Sequence, residues 1–166
     1  MVPNNSVDAI TIILALQNIE RISAVLKECA RVLKTAGRLL IVINHPILRI
    51  PKESDWGWDE IKQVQYRRVD RYLSESKIKI DMHPGQTHKE YTVSWHRPLQ
   101  VYFKNLANAG LGVTRLEEWI SNRQGPRGKR FAASEQARKE IPLFLFIEAN
   151  FIIEENDGIR YTRGME

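Results

Sequence analysis

The sequence predicts an α/β fold built on a parallel sheet, from three features near its start. Two apolar segments, 8–16 and 37–44, are rich in Ile, Leu and Val without strict alternation, as is typical of parallel strands covered on both faces. An amphipathic segment lies between them, with the spacing of a surface helix. Together they predict a strand, crossover helix and parallel strand, a right-handed βαβ unit.

The connecting helix is predicted from apolar residues spaced three and four apart, which form one stripe facing the sheet. We expect the helix to end at Lys34, with Gly37 marking its stop and the start of the next strand. Cys29 is the only cysteine, so an internal disulfide is excluded and packing as a small hydrophobe is predicted. The stripe consists of Ile22, Val25, Leu26, Cys29, Val32 and Leu33.

The middle of the chain changes character. An aromatic loop is predicted at 55–59, followed by half-exposed strands at 65–72, 77–81 and 90–95, where apolar and polar residues alternate. A helix is predicted to open at Pro98 and to end near Gly110. The remaining predictions are strands at 113–119 and 141–150, a short helix at 132–139 between them, and a polar tail from 154 that frays.

Composition restricts the class of protein. The 166 residues are 43% hydrophobic and 27% charged, which is ordinary for one globular domain. No signal-peptide pattern opens the chain and no apolar run approaches the length of a membrane span, so we expect a cytoplasmic protein without a membrane partner. The net charge of +5 includes basic clusters at 67–71 and 123–130, which make nucleic-acid binding an alternative, but acidic residues interspersed along the chain argue against it.

Three segments together carry a resemblance to a known family. Residues 7–10 (VDAI), 14–18 (LALQN) and 31–40 (RVLKTAGRLL) resemble the fourth strand, the following helix and the fifth strand of class I S-adenosylmethionine-dependent methyltransferases. In that family the helix typically ends Arg-Val-Leu-Lys-Pro-Gly-Gly; here Thr35 and Ala36 replace the proline and first glycine, and Gly37 is kept. The resemblance implies a partial Rossmann-like sheet of strands 4, 5, 7 and 6 with flanking helices, the last strand antiparallel. It also implies a β-rich substrate cap inserted at 47–95.

The family's main cofactor motif is absent from this sequence. Family members hold the cofactor chiefly through a Gly-rich turn after the first strand, and no G-x-G-x-x-G opens a helix here. At about 30 residues for each missing strand and helix unit, about 90 residues are lacking upstream. We therefore expect residues 1–166 to be a single partial domain, the C-terminal half of a methyltransferase.

The resemblance implies S-adenosylmethionine as cofactor and a small-molecule methyl acceptor. Ligands bind outside the carboxyl ends of parallel strands, and the resemblance implies that Leu16, Gln17 and Asn18 lie beside the cofactor and His45 and Arg49 on the substrate side. Two alternatives stay open. Asn18 is also a favoured N-cap residue for the helix, and His45 can be a hydrogen-bonded turn histidine.

Further substrate residues are implied in and after the predicted cap. An apolar inner face would be formed by the aromatic residues Tyr66, Tyr72, Tyr91 and Trp95. Trp56 is assigned to the substrate too, although Trp56 and Trp58 can simply pin their loop to the domain. His96 begins a His-Arg-Pro-Leu run like that preceding the family's last helix, and it can orient substrate, act as a base near neutral pH, or be structural.

No catalytic residue or metal site is predicted. Methyl transfer depends mainly on positioning two reactants, and the spacing of Asp81, His83 and His88 matches no zinc pattern. A different class of function is also open: a noncatalytic remnant, or half of a split enzyme. The apolar strand at 8–16 would then be an exposed sheet edge, covered by self-association or by a separate N-terminal half.

Overall fold

The computed structural model describes residues 1–83, 85, 87, 90–125, 127–156 and 159–162. In chain order the elements are β1 (Val7–Ile13), a 3-10 helix (Leu16–Asn18), α1 (Ile22–Val32), β2 (Leu33–Asn44), β3 (Ser54–Asp59), β4 (Val64–Val69), β5 (Ser76–Asp81), β6 (Tyr91–His96), α2 (Leu99–Asn108), β7 (Leu111–Trp119), α3 (Phe131–Glu140), β8 (Phe144–Phe151), β9 (Ile153–Asn156) and β10 (Ile159–Thr162).

The central sheet has the strand order β1-β2-β8-β7. β1 runs parallel to β2, and β8 lies antiparallel between β2 and β7. The α/β class and the parallel pair around α1 are therefore confirmed. β8, the last of these four strands in the sequence, lies inside the sheet. β1 and β7 are therefore the two edge strands among the described strands.

The sheet is covered on one face rather than both. Alternate residues of β2 and β8 are fully buried and form a core with α1 and α2, including Leu39, Ile41, Leu145 and Ile147. The residues between them are only partly buried. The prediction that both faces are covered is wrong for the described chain. An uninterrupted run of apolar residues does not reveal that their burial alternates along the strand.

The junction between α1 and β2 is tighter than predicted. α1 ends at Val32, and Leu33 already belongs to β2. Gly37 does not stop the helix; it permits close packing, since an added Cβ would lie 2.7 Å from Leu33 Cδ2 and 2.8 Å from the Lys34 carbonyl oxygen. The left-handed glycine that ends a helix is instead Gly110, with φ of 76° just after α2.

The segment 47–95 forms two separate antiparallel hairpins, β3–β4 and β5–β6. Residues 55–59, predicted as a loop, belong to strand β3, because Ser54–Asp59 pairs along its whole length with β4. The first hairpin packs against α3, and β6 packs beside the 3-10 helix. His88, considered for a metal site, lies outside the described residues.

The end of the chain also departs from expectation. Residues after 153 were predicted to fray, whereas β9 and β10 pair as an antiparallel hairpin. Pro142 precedes β8 by two residues, as predicted for a residue that cannot donate within a strand ladder. Among the described residues no helix is both long and apolar enough to cross a membrane.

Candidate functional site

A strained turn follows β1 at the carboxyl end of the parallel pair. Leu14 has φ of 51°, and its backbone N–H donates to the Val42 carbonyl at 2.7 Å. The Gln17 side chain closes the turn, since its Nε2 donates to the Leu14 carbonyl at 2.7 Å. Gln17 is 8% exposed, and its buried Oε1 has no hydrogen-bond partner. This edge therefore holds an unused acceptor.

The neighbours of Gln17 in the 3-10 helix have different environments. Leu16 is completely buried in the core, so its side chain anchors the turn and shows no surface to a ligand. Asn18 is exposed. The prediction that Asn18 caps α1 is wrong: Arg21 occupies the N-cap position and makes no side-chain capping bond.

His45 lies just after β2 and is 2% exposed. Its Nδ1 accepts the backbone N–H groups of Ile47 and Leu48, both at 3.3 Å. Because Nδ1 accepts, the neutral ring carries its proton on Nε2, which lies 2.8 Å from Glu118 Oε1. Both ring nitrogens are thus hydrogen-bonded within the protein. This agrees with the alternative that His45 is a hydrogen-bonded turn histidine.

Arg49 and Arg67 bring positive charge to the same end of the sheet. The Arg49 guanidinium lies 5.4 Å from the centroid of the Phe144 ring. Partial burial, followed by the nearby charge of Arg123, lowers the pKa of Arg49. Arg67 is tied to the protein, with Nε donating to the Leu48 carbonyl at 2.7 Å. Arg49 has no carboxylate within salt-bridge distance in the part of the chain that the structure describes.

Tyr72 and His96 join the second hairpin to α2. The His96 Nε2 donates to the Tyr72 carbonyl at 2.8 Å, and the Tyr72 hydroxyl oxygen accepts the backbone N–H of Leu99, in the first turn of α2, at 3.0 Å. A carbonyl can only accept, so the neutral His96 ring keeps its lone pair on Nδ1. That nitrogen has no hydrogen-bond partner among the described residues.

Arg97 is a buried cation that the sequence analysis did not single out. It is 4% exposed. Its Nη2 donates to the carbonyls of Ile19 at 2.9 Å and Glu20 at 2.6 Å, while its Nη1 has no partner. Next to it, burial raises the pKa of the Tyr102 hydroxyl. The sequence contained one indication of this residue. It is an arginine between the end of a strand and the proline that opens the next helix.

Several of these residues line one cleft that is partly open to solvent. Of the residues predicted as site residues, Gln17, Arg49 and His96 line the cleft; Leu16, Asn18, His45, Trp56, Tyr66 and Tyr72 do not. The remaining lining residues are Asn44, Pro46, Pro51, Ser94, Trp95, Arg97 and Tyr102. The cleft lies between the end of the parallel pair and the second hairpin.

The aromatic residues of the two hairpins do not share one inner face. Trp56 lies under the Arg67 guanidinium at 5.1 Å, and Tyr66 is 45% exposed, with its ring across Gly57 on the paired strand. Trp58 lies 4.5 Å from the Arg130 guanidinium, beside α3. This contact joins the first hairpin to the start of α3. Trp95 alone of the predicted aromatic residues reaches the cleft.

Charged side chains on the described surface bear on two other classes of site, metal and nucleic-acid sites. Within the described residues, no three His, Cys, Asp or Glu side chains are grouped so that they could hold a metal ion. The basic clusters are partly neutralised, since Arg68 pairs with Asp70 at 2.7 Å and Arg130 pairs with Glu60.

The sequence family described as a methyltransferase domain matches residues 1–41. No curated protein sequence matches the chain. The solved structure of an S-adenosylmethionine-dependent methyltransferase from Mesorhizobium loti is similar to it, with a TM-score of 0.68 at 24% identity over 89% of this chain and 64% of that one. A Listeria monocytogenes protein assigned to the same class has a TM-score of 0.66 at 23% identity, covering 92% and 64%.

A third similar structure is the complex of the Haloferax volcanii Trm112 methyltransferase activator with its proposed methyltransferase, with a TM-score of 0.55 at 15% identity, covering 93% of this chain and 57% of that one. The chain thus spans about 64% of the length of the first two solved proteins. Its first 41 residues match the methyltransferase-domain family, and the described chain has the α/β fold of S-adenosylmethionine-dependent methyltransferases.

Proposed function

We propose that this chain is the acceptor-side portion of an S-adenosylmethionine-dependent methyltransferase that acts on a small molecule. One observation carries the proposal: a cleft at the carboxyl end of the parallel strand pair is lined by Gln17, whose buried Oε1 has no partner. Ligands of α/β proteins bind at such edges. The methyltransferase-like fold supports the assignment of the ligand class.

Gln17 and Asn18 are the residues we assign to the cofactor, with Leu16 anchoring the turn from the core. The unused Gln17 acceptor and the exposed Asn18 amide fit a polar ligand at this edge. When bound, S-adenosylmethionine supplies an electrophilic methyl group. The strand assignment 4, 5, 7 and 6 and the role of 47–95 as a substrate cap belong to this proposal.

On the acceptor side, the chain offers a base and a cation. His96 lines the cleft, and its Nδ1 keeps a lone pair because Nε2 donates to Tyr72. It is therefore suited to take a proton from the acceptor. Arg49 orients the acceptor at the mouth of the cleft, while His45 and Tyr72 hold the backbone around it and Trp56 and Tyr66 belong to the hairpin above.

The test is a titration of the isotope-labelled chain with S-adenosylhomocysteine, followed by amide NMR. The proposal predicts saturable shifts at residues 14–18, including the Gln17 side-chain amide, because these atoms border the ligand. Gln17→Leu should weaken the binding that these shifts report, whereas Gln100→Leu, at an exposed position on α2, should not. Shifts confined to the region of α3, or none, would contradict the proposal.

A second candidate is favoured by the exposed edge of the sheet: association through β1. β1 pairs only with β2 among the described strands, and Ile13 and Leu14, at its end, are 64% and 40% exposed. An unpaired apolar edge readily pairs with another chain. Under this proposal the chain is noncatalytic or half of a split enzyme, and a second copy or an N-terminal half covers β1.

A further inference from the structure

The cleft contains two buried polar atoms of opposite character, neither of which the fold uses. Gln17 Oε1 can only accept a hydrogen bond, and Arg97 Nη1 can only donate one. Both residues line the cleft and are more than nine-tenths buried, at 8% and 4% exposure. Neither atom has a hydrogen-bond partner among the described residues. Buried polar groups are rarely left unpaired, and those that are require an explanation.

The rest of the Arg97 side chain is fixed. Its Nη2 holds the carbonyls of Ile19 and Glu20, and its Nε lies 3.9 Å from Glu75, a carboxylate that is 59% exposed. The guanidinium therefore cannot turn to satisfy Nη1 without losing two backbone bonds. Nη1 is a positioned cationic donor, of the kind that binds carboxylates with charge-assisted hydrogen bonds.

A second arginine lines the cleft. Arg49 is exposed and stacks against Phe144, with no carboxylate within salt-bridge distance in the described part of the chain. The remaining walls include the rings of Trp95, His96 and Tyr102. Among the described residues no acidic side chain lines the cleft, although the exposed Glu75 carboxylate lies 3.9 Å from Arg97 Nε. The two arginines favour an anionic ligand.

We propose that the cleft takes a small organic carboxylate that also carries a hydroxyl or amino group, and that this group is the methyl acceptor. The carboxylate binds Arg97 Nη1 and Arg49, and the O–H or N–H donates to one lone pair of Gln17 Oε1, whose second lone pair stays available to the cofactor. The inference rests on the proposed function for the transfer itself, but not for the binding.

Binding is tested without cofactor, using salicylate as the probe. Salicylamide has nearly the same shape without the charge, and benzoate keeps the charge without the hydroxyl. Salicylate should bind at least about tenfold more tightly than salicylamide, the effect expected for one charge-assisted hydrogen bond. It should also bind more tightly than benzoate and shift the NMR signals of the Gln17 side-chain amide and the Arg97 Nε–H.

Variants locate the site. Arg49→Gln should weaken salicylate about tenfold, and Arg38→Gln, an arginine that is exposed elsewhere on β2, should leave it unchanged. Arg49 is chosen because Arg97 also holds backbone carbonyls and its loss can unfold the chain. Equal affinities for salicylate and salicylamide, or an unchanged Arg49→Gln affinity, would overturn the proposal.

The carboxylate group of the cofactor is the competing occupant of this anion site. S-adenosylhomocysteine that displaces salicylate, and loses affinity in Arg49→Gln, would assign the anion site to the cofactor and overturn the acceptor assignment. Simultaneous binding of salicylate and S-adenosylhomocysteine supports the acceptor assignment. Salicylate binding without S-adenosylhomocysteine binding would sink the methyltransferase proposal while leaving the anion site in place, so the two failures are distinguishable.

Discussion

The Nε2 of His45 lies 2.8 Å from Oε1 of Glu118, joining the residue after β2 to the edge strand β7. His45 is almost completely buried, whereas the Glu118 side chain is 55% exposed. Glu118→Ala should reduce the free energy of unfolding by only about 1 kcal/mol, since water can replace an exposed partner. A double-mutant cycle with His45→Ala measures the coupling. Additive effects would show that the pair does not interact.

Tyr72→Phe should destabilise the chain by about 1 kcal/mol, because it removes the acceptor of a backbone N–H at the start of α2. Tyr91→Phe is the control, since Tyr91 is 50% exposed and its hydroxyl has no partner among the described residues. Urea unfolding followed by circular dichroism gives both values. Equal losses in the two variants would contradict a specific role for the Tyr72 hydroxyl.

Gly37→Ala should be destabilising by about 1–3 kcal/mol, the range for overpacking. Its new Cβ would meet Leu33 Cδ2 and the Lys34 carbonyl oxygen within 3 Å, and a backbone atom cannot move aside cheaply. Gly128→Ala is the matched change, with nothing within 4 Å of an added Cβ. It should stay within about 0.5 kcal/mol of the parent in thermal unfolding. A neutral Gly37→Ala would mean that the α1–β2 junction is looser than described.

Cys29 should resist alkylation in the folded chain. Cys29 is 8% exposed, and burial, followed by the charge of Glu28, raises the pKa of its thiol. Less thiolate is therefore present in the folded than in the unfolded chain between about pH 8 and 9, and the thiolate is the nucleophile. Iodoacetamide labelling followed by mass spectrometry should be slow until urea unfolds the chain. Rapid labelling without denaturant would contradict the burial.

Ile13→Lys tests the association proposal at the β1 edge, because a charge on an exposed edge strand opposes pairing with another chain. Self-association seen by light scattering should fall in this variant and stay unchanged in Ile61→Lys, at an exposed position outside the sheet. A parent chain that is monomeric at high concentration, with fast amide exchange along residues 9–16, would rule out a covering by a second copy.

Local patterns were sufficient to predict α1, α2 and most of β2, whereas the placement of the last strand inside the sheet was implied only by the family resemblance. They did not predict β3, where Trp56, Gly57 and Trp58 interrupt any alternation and only pairing with β4 makes the segment a strand. The cleft was predicted in part: position after a parallel strand indicated Gln17. Arg97 was missed because its role depends on carbonyls 77 and 78 residues earlier, a contact that no local pattern contains.

The most direct test of the central claim is calorimetric titration of the purified chain with S-adenosylmethionine and with its demethylated product. The account predicts saturable binding at about micromolar strength, weakened in Gln17→Leu and unchanged in Gln100→Leu. No heat at millimolar ligand would contradict it, and would mean that this chain does not form a cofactor site by itself.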